Sequence, residues 1–272
     1  MTFALGLTSG RSVFMVADHR ISWSTRFDDR GVKVATVRAV DGLALLGYAG
    51  LGETANGTQP SAWMRNLLNG RKLTVEGCIA EVAIGIEQQF PQHMADLGDH
   101  LVVVSAVVDD QPRMYGIHLR DKGVGYAPLR QAQLAESGIS QDAAPRAIYT
   151  GSGGAWFGRR KNKAVWLREV YSRARDHDAG RVSGAAVADV LARLDAEVAR
   201  EVADVSPSCT VVWIGQYEDG CWQFGKQVYD DAVRTTGLLF ADPIEIDADG
   251  MGDESRPLEF PAIEMEVDGT PP

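Results

Sequence analysis

Cysteine is scarce in this sequence, and long apolar runs are absent from it. Three cysteines occur among 272 residues, widely spaced and without a CxxC pair, at Cys78, Cys209 and Cys221. An odd number of isolated thiols excludes a disulfide framework and indicates a reducing compartment. No apolar run approaches the roughly eighteen residues of a membrane helix, and the amino terminus lacks the basic region of a signal peptide. We therefore expect a cytoplasmic protein without a membrane partner.

Histidine is also infrequent, and no pattern of metal ligands is present. The five histidines show neither ligand spacing nor pairing with carboxylates, so we expect no metal site and no cofactor. The segment Gly151-Ser152-Gly153-Gly154 suggests one alternative, a phosphate bound at a helix start. It lacks the lysine and hydroxyl pair of a P-loop and the full dinucleotide fingerprint. The sequence thus favours chemistry performed by the protein's own side chains.

Positive charge is nearly absent from the carboxyl-terminal segment. The chain has a net charge of −10, and residues 241–272 contain ten acidic residues against a single basic one, Arg256. The preceding residues are therefore close to neutral, and a polyanionic tail argues against a nucleic-acid partner. The basic cluster at 159–163 has no aromatic residues interleaved with it for base stacking. We expect one domain over residues 1–239, followed by an acidic tail over residues 240–272.

Hydrophobic periodicity predicts blocks of strands that are separated by pairs of helices. Strands are predicted at 3–7, 12–17, 32–40, 42–49, 101–108, 113–119, 146–150, 209–215 and 221–228. Helices are predicted near 60–69, 74–90 and 184–203, with another around Trp166. The first four strands are expected to form one sheet of sequential antiparallel neighbours. The whole pattern predicts an α+β fold, a single-domain, four-layer αββα sandwich in which helices cover two stacked sheets.

A threonine directly follows the initiator methionine and immediately precedes the first buried strand. If methionine aminopeptidase removes Met1, Thr2 acquires a free α-amine whose reference pKa is near 8. One residue then holds both a nucleophilic hydroxyl and its general base. Asp18, at the end of the second strand, and Lys33, at the start of the next, are candidates for an acid that holds a cation beside that amine. The backbone N–H of Gly50, after a strand, suits an oxyanion donor.

Five motifs in order resemble the proteasome β-type subunits, a family of N-terminal nucleophile hydrolases. They are the spacing from Thr2 to Asp18, the segment Val16-Ala17-Asp18-His19-Arg20-Ile21-Ser22, Lys33-Val34 followed by Ala49-Gly50, the glycine-rich segment at 151–154, and the pair Asp204 and Ser208 before the strand CTVVWIG. The resemblance covers roughly residues 2–228. The sequence is similar to bacterial members of the family that carry no propeptide, so we expect maturation by removal of methionine alone.

The resemblance implies a threonine-type endopeptidase and assigns a role to each matching residue. Thr2 would be the nucleophile, Asp18 and Lys33 would tune its amine, and Gly50 would bind the oxyanion. Ser152, Asp204 and Ser208 would support the proton path. Ser22 would orient an extended peptide, and Ile21, Ala35 and Tyr48 would line the specificity pocket.

The resemblance also implies partners, and it leaves two other functions open. Polypeptide substrates, a ring or other homo-oligomer, and a regulatory ATPase are the implied partners. If Met1 is retained, the same fold would serve as a catalytically silent ring or scaffold subunit; a small-amide hydrolase is the second alternative. The chain departs from the family pattern in an insertion at residues 51–59, in the wider spacing between Asp204 and Ser208, and in its acidic tail.

Overall fold

The apolar runs form strands and the amphipathic segments form helices in the computed structural model, which describes residues 2–22, 27–51, 57–89, 102–120, 123–129, 145–216 and 222–235. The strands are β1 (Ala4–Thr8), β2 (Ser12–Asp18), β3 (Ile21–Ser22), β4 (Phe27–Asp28), β5 (Val34–Ala39), β6 (Gly42–Tyr48), β7 (Val102–Val108), β8 (Gln111–Arg120), β9 (Gly123–Leu129), β10 (Arg146–Thr150), β11 (Ser208–Gln216), β12 (Trp222–Asp230) and β13 (Val233–Arg234). The helices are α1 (Pro60–Leu68), α2 (Val75–Gln89), α3 (Gly151–Arg159), α4 (Lys163–Asp178) and α5 (Gly184–Glu201).

Two antiparallel sheets organise these strands. The first sheet has the order β10-β1-β2-β11-β12-β13, the second has the order β5-β6-β7-β8-β9, and β3 and β4 form a small separate pair. The expected α+β fold is confirmed at this level. The expectation that the first four long strands share one sheet is wrong, because β1 and β2 lie in the first sheet and β5 and β6 in the second. The free edge of β2 is occupied by β11, where Val16 is paired with Val211.

Three apolar clusters explain why the central strands are hydrophobic on both faces. Val13 and Met15 of β2 pack against the second sheet beside Leu45 and Val103. The alternate residues of β2 pack against α3, α4 and α5 on the opposite face, in the cluster that contains Phe14, Val16 and Leu191. A third cluster joins the second sheet to α1 and α2. A strand covered on both faces buries every side chain, which accounts for the unbroken apolar run in β2.

Most predicted elements are confirmed, and the differences have local causes. Strand β9 was not predicted, because its sequence GVGYAPL contains two glycines and a proline that disfavour strand structure. The acidic tail over residues 240–272 and residues 52–56 of the predicted insertion lie outside the described residues. No helix in the described part of the chain is long and apolar enough to cross a membrane.

Hydrogen bonds to Asp178 hold the turn between β1 and β2 against the end of α4. The Asp178 carboxylate accepts hydrogen bonds from the hydroxyls of Ser9 and Ser12, both at 2.9 Å. It also accepts the backbone N–H groups of Gly10 at 2.8 Å and Arg11 at 3.2 Å. One carboxylate thus satisfies four donors and fixes the hairpin whose other end carries Thr2 and Asp18.

We expect Asp178→Ala to lower the free energy of unfolding by about 2–3 kcal/mol, because it leaves several partly buried donors without their charged acceptor. Chemical denaturation of the full chain measures this change. Asp176→Ala is the matched control, since Asp176 lies on the same helix and makes only a surface ion pair with Arg181. That control should change stability by less than about 1 kcal/mol. Equal losses in the two variants would contradict the anchoring role of Asp178.

Candidate active site

Thr2, Asp18 and Lys33 meet in a buried cluster at the end of β2. Their relative exposures are 4%, 0% and 3%. The Lys33 ammonium donates a hydrogen bond to Thr2 Oγ1 at 2.5 Å and another to Asp18 Oδ1 at 3.0 Å. The three residues that the sequence analysis placed together are therefore joined in one chain of contacts.

Strand register and chain direction explain how these residues meet. Ala4 of β1 is paired with Ala17 of β2, so Asp18 lies beside the residues that precede β1. Phe3 donates its backbone N–H to Asp18 Oδ1 at 2.8 Å. Lys33 directly precedes β5 of the second sheet, and its carbonyl accepts the N–H of Tyr48 at 3.2 Å. Thr2 and Asp18 thus belong to the first sheet, and Lys33 comes from the second.

Asp18 is surrounded by donors on both carboxylate oxygens. Oδ1 accepts hydrogen bonds from Phe3 N and Lys33 Nζ, while Oδ2 accepts the N–H groups of Arg20 at 2.9 Å and Ser206 at 3.1 Å. Four donors, one of them cationic, satisfy both oxygens of this fully buried carboxylate. Asp18 is therefore the ion-pair partner of Lys33 in the site.

Burial lowers the pKa of Lys33, and the neighbouring charge of Asp18 acts in the opposite direction. The Lys33 ammonium group therefore gives up a proton more readily than an exposed lysine does, while the charge of Asp18 favours its protonated form. At 2.5 Å from Thr2 Oγ1, its positive charge lies where negative charge would develop on an attacking hydroxyl.

The start of α3 holds the carbonyl of Thr2. Gly153 donates its N–H to the Thr2 carbonyl at 3.2 Å. Gly151 has a φ of +82°, and a Cβ at this position would lie 2.0 Å from the Thr2 carbonyl oxygen and 3.0 Å from the Ala49 side chain. The end of β6 therefore lies beside Thr2, with Gly50 next in the chain at a φ of +72°. Among the described residues, the buried Ser152 hydroxyl has no hydrogen-bond partner.

Ser208 lies apart from this cluster, and Ser206 takes the position at Asp18. The Ser208 hydroxyl donates to Asp230 at 2.7 Å at the protein surface. Ser206 binds Asp18 through its N–H, and its hydroxyl accepts the N–H of Ser208 at 3.1 Å. Asp204 is half-buried, and its charge contributes to raising the pKa of Arg20. The sequence signal for Ser206 was its position as the first serine after Asp204, one residue closer than the family spacing.

Arg20 and Asp29 form a support that the sequence analysis did not assign. Arg20 Nε and one terminal nitrogen donate to the two oxygens of Asp29, both at 2.7 Å. The other terminal nitrogen donates to the Ala203 carbonyl at 2.5 Å. The bidentate guanidinium holds the pKa of Asp29 below its usual range. This pair ties the loop after β2 to the segment that carries Ser206.

The predicted pocket residues are buried. Ala35 and Tyr48 belong to the cluster under α1 and α2, and Ile21 packs against Gly31. The Tyr48 hydroxyl donates to the Val32 carbonyl at 3.0 Å, just before Lys33. Ser22 lies in β3, but its side chain is outside the described residues. The structure thus places Tyr48 as a support for the Lys33 backbone.

Among the described residues, no group of three or more His, Cys, Asp or Glu side chains is placed to hold a metal ion. His19, next to Asp18, contacts the Thr210 hydroxyl through Nε2 at 2.7 Å, and burial lowers the pKa of this histidine. His19 therefore pairs with a hydroxyl on the neighbouring strand.

No protein-family model matches the chain, and no curated protein sequence matches it either. The geometry of the cluster at Thr2 is therefore what a functional assignment must be built on.

We expect Gly151→Ala to displace Thr2 and to destabilise the fold by several kcal/mol, about 1–2 of which come from the positive φ alone. The remainder comes from the clash with the Thr2 carbonyl, a backbone atom that cannot rotate away. Gly70→Ala is the control, because Gly70 has a φ of +71° and open space around its Cβ position. Thermal or chemical denaturation measures both variants. Similar losses at the two glycines would show that the contact with Thr2 is unimportant.

Proposed function

We propose that this chain is a threonine-type endopeptidase that resembles the proteasome β-type subunits, with the four-layer αββα sandwich of the N-terminal nucleophile hydrolases. The contact between Lys33 Nζ and Thr2 Oγ1, with Asp18 behind the ammonium, carries the proposal. A buried lysine costs free energy unless it is paired, and this one points its charge at a hydroxyl of the second residue.

The reaction begins when removal of Met1 frees the Thr2 α-amine. The amine accepts the hydroxyl proton as Thr2 Oγ1 attacks the carbonyl carbon of the scissile bond. Lys33 stabilises the charge on the attacking oxygen, and the Gly50 N–H stabilises the oxyanion that forms on the carbonyl. The C–N bond breaks, the amine passes its proton to the departing amino group, and an ester remains on Thr2. Water then attacks the ester and regenerates the hydroxyl.

Ser152 supports the proton transfer in this proposal. Its hydroxyl is buried, it lies between two glycines that surround the Thr2 carbonyl, and it has no partner in the described part of the chain. A hydroxyl both donates and accepts, so Ser152 can hold the free amine in the orientation that faces Thr2 Oγ1. Asp204 has a more distant role through Arg20. Ser206, and not the expected Ser208, contacts Asp18 and takes the supporting role in this proposal.

Substrate and assembly follow from the resemblance. We propose polypeptide substrates, self-association into a ring or another homo-oligomer, and a regulatory ATPase that delivers unfolded chains in the cytoplasm. An extended peptide would lie along β3, where Ser22 would orient it by pairing with its backbone.

We expect the intact mass of the purified chain to show loss of Met1, and a peptide epoxyketone to add once per chain. This electrophile reacts with both the hydroxyl and the free amine of an amino-terminal threonine, so it tests the two groups together. Thr2→Ala should give no adduct and should lose peptide cleavage by on the order of 10⁴–10⁶-fold. Thr2→Ser, which keeps a hydroxyl, is the control that retains labelling.

Each other outcome rejects the proposal in a different way. Retained Met1 without an adduct indicates the silent ring or scaffold subunit. Loss of Met1 without an adduct, together with hydrolysis of small amides, indicates a small-amide hydrolase. An adduct that persists in Thr2→Ala places the nucleophile elsewhere.

A further inference from the structure

A second aspartate is buried behind the catalytic cluster. Asp195 lies on the apolar face of α5 and is 0% exposed. Neither of its carboxylate oxygens has a hydrogen-bond partner of acceptable geometry among the described residues. The thiol of Cys209 is a polar group in contact with it. The structure therefore holds a carboxyl group in apolar surroundings for which the catalytic steps above give no role.

The register of β11 connects Asp195 to the site. Cys209 is paired directly with Asp18 across β2 and β11, so the two side chains project from the same face of the sheet. Helix α5 covers this face. The charged or ionisable groups that interact with Asp195 are Asp18 of β2, Lys33 before β5, and Cys209 of β11.

Two buried carboxyl groups therefore interact with the charge of one buried cation, and Asp18 is the one in contact with it. Asp18 accepts four hydrogen bonds, including that of Lys33, whereas Asp195 accepts none of good geometry from the residues that the structure describes. An ionised carboxylate without donors is too costly to bury, and it takes up a proton instead. Burial and the nearby charge of Asp18 both raise the pKa of Asp195 well above its usual value. Burial likewise raises the pKa of the Cys209 thiol, which is neutral.

We propose that Asp195 is a positioning residue that stays protonated behind Asp18, so that the buried site contains one cation and one anion and Lys33 directs its charge at Thr2. The catalytic part of this role rests on the proposed function. An ionised Asp195 would add a second negative charge next to Lys33. The ammonium would then offer less stabilisation to negative charge on Thr2 Oγ1.

Proton uptake on folding tests the protonated state without any assay of activity. The folded chain retains a proton that unfolded Asp195 releases above a pKa of about 3.9. The folding equilibrium constant of the full chain should therefore fall about tenfold per pH unit through this group as pH rises from about 5 towards the folded-state pKa. Asp195→Asn, which is neutral and similar in shape, should lose this contribution.

The matched control is Asp189→Asn, on the same helix but with a side chain that is 48% exposed. This variant should keep the wild-type slope between pH 5 and 7. Parallel slopes for wild type and Asp195→Asn would overturn the proposal. Should Asp195→Asn not fold, infrared spectra of the wild-type chain with isotopically labelled aspartate decide the matter. A carbonyl band of a protonated carboxylic acid at neutral pH is expected, and its absence overturns the proposal.

The positioning role is read from the pH dependence of Thr2 labelling by the epoxyketone. In the wild type, ionisation of Asp195 at alkaline pH should weaken the stabilisation that Lys33 gives to Thr2 Oγ1, and the labelling rate should then decline. Asparagine at this position cannot ionise, so the decline should move to higher pH in Asp195→Asn. Asp189→Asn should follow the wild type. Coincident declines in wild type and Asp195→Asn would overturn the positioning role. A wild-type chain that does not react at all would reject the endopeptidase and this role with it, whereas the stability slopes would still decide whether Asp195 holds a proton.

Discussion

The buried ion pair between Asp18 and Lys33 is the interaction on which the rest of the site depends. The Asp18 carboxylate connects four parts of the chain through its donors, namely Phe3 before β1, Arg20 after β2, Ser206 before β11, and Lys33 before β5. Loss of either charge would leave the other buried without a partner, a situation that typically costs about 3–5 kcal/mol. The same contacts that orient Lys33 towards Thr2 therefore also hold the two sheets in register at this end.

The groups that contact this pair directly differ from those that hold the surrounding loops. Backbone N–H groups and one ammonium contact Asp18 directly, while the bidentate pair of Arg20 and Asp29 orders the loops that supply those N–H groups. Asp178 fixes the opposite end of the β1–β2 hairpin. The polar contacts nearest Thr2 are buried and those farther away are partly exposed. This gradient protects the short central hydrogen bonds from competition with water.

Local patterns of the sequence predicted the elements and the central cluster, whereas long-range pairing could not be read from them. The unbroken run in β2 indicates burial on both faces, but it carries no information about which strand covers its edge, and β11 lies almost two hundred residues away. The resemblance assigned Ser208, and it did not show that the N–H of Ser206, two residues earlier, contacts Asp18. Asp195 did leave a signal, since it falls four residues after Leu191 and three before Val198 on the apolar face of α5. A single acidic residue within such a face reports burial, but not which groups surround it.

The division of the site between the two sheets makes the contact between Lys33 and Thr2 depend on the packing of those sheets. Thr2 and Asp18 belong to the first sheet, whereas Lys33 enters from the second. A nascent or partly folded chain in which the sheets have not yet docked has the hydroxyl but no ammonium beside it. The contact that the proposed reaction requires therefore forms only when the two sheets pack together.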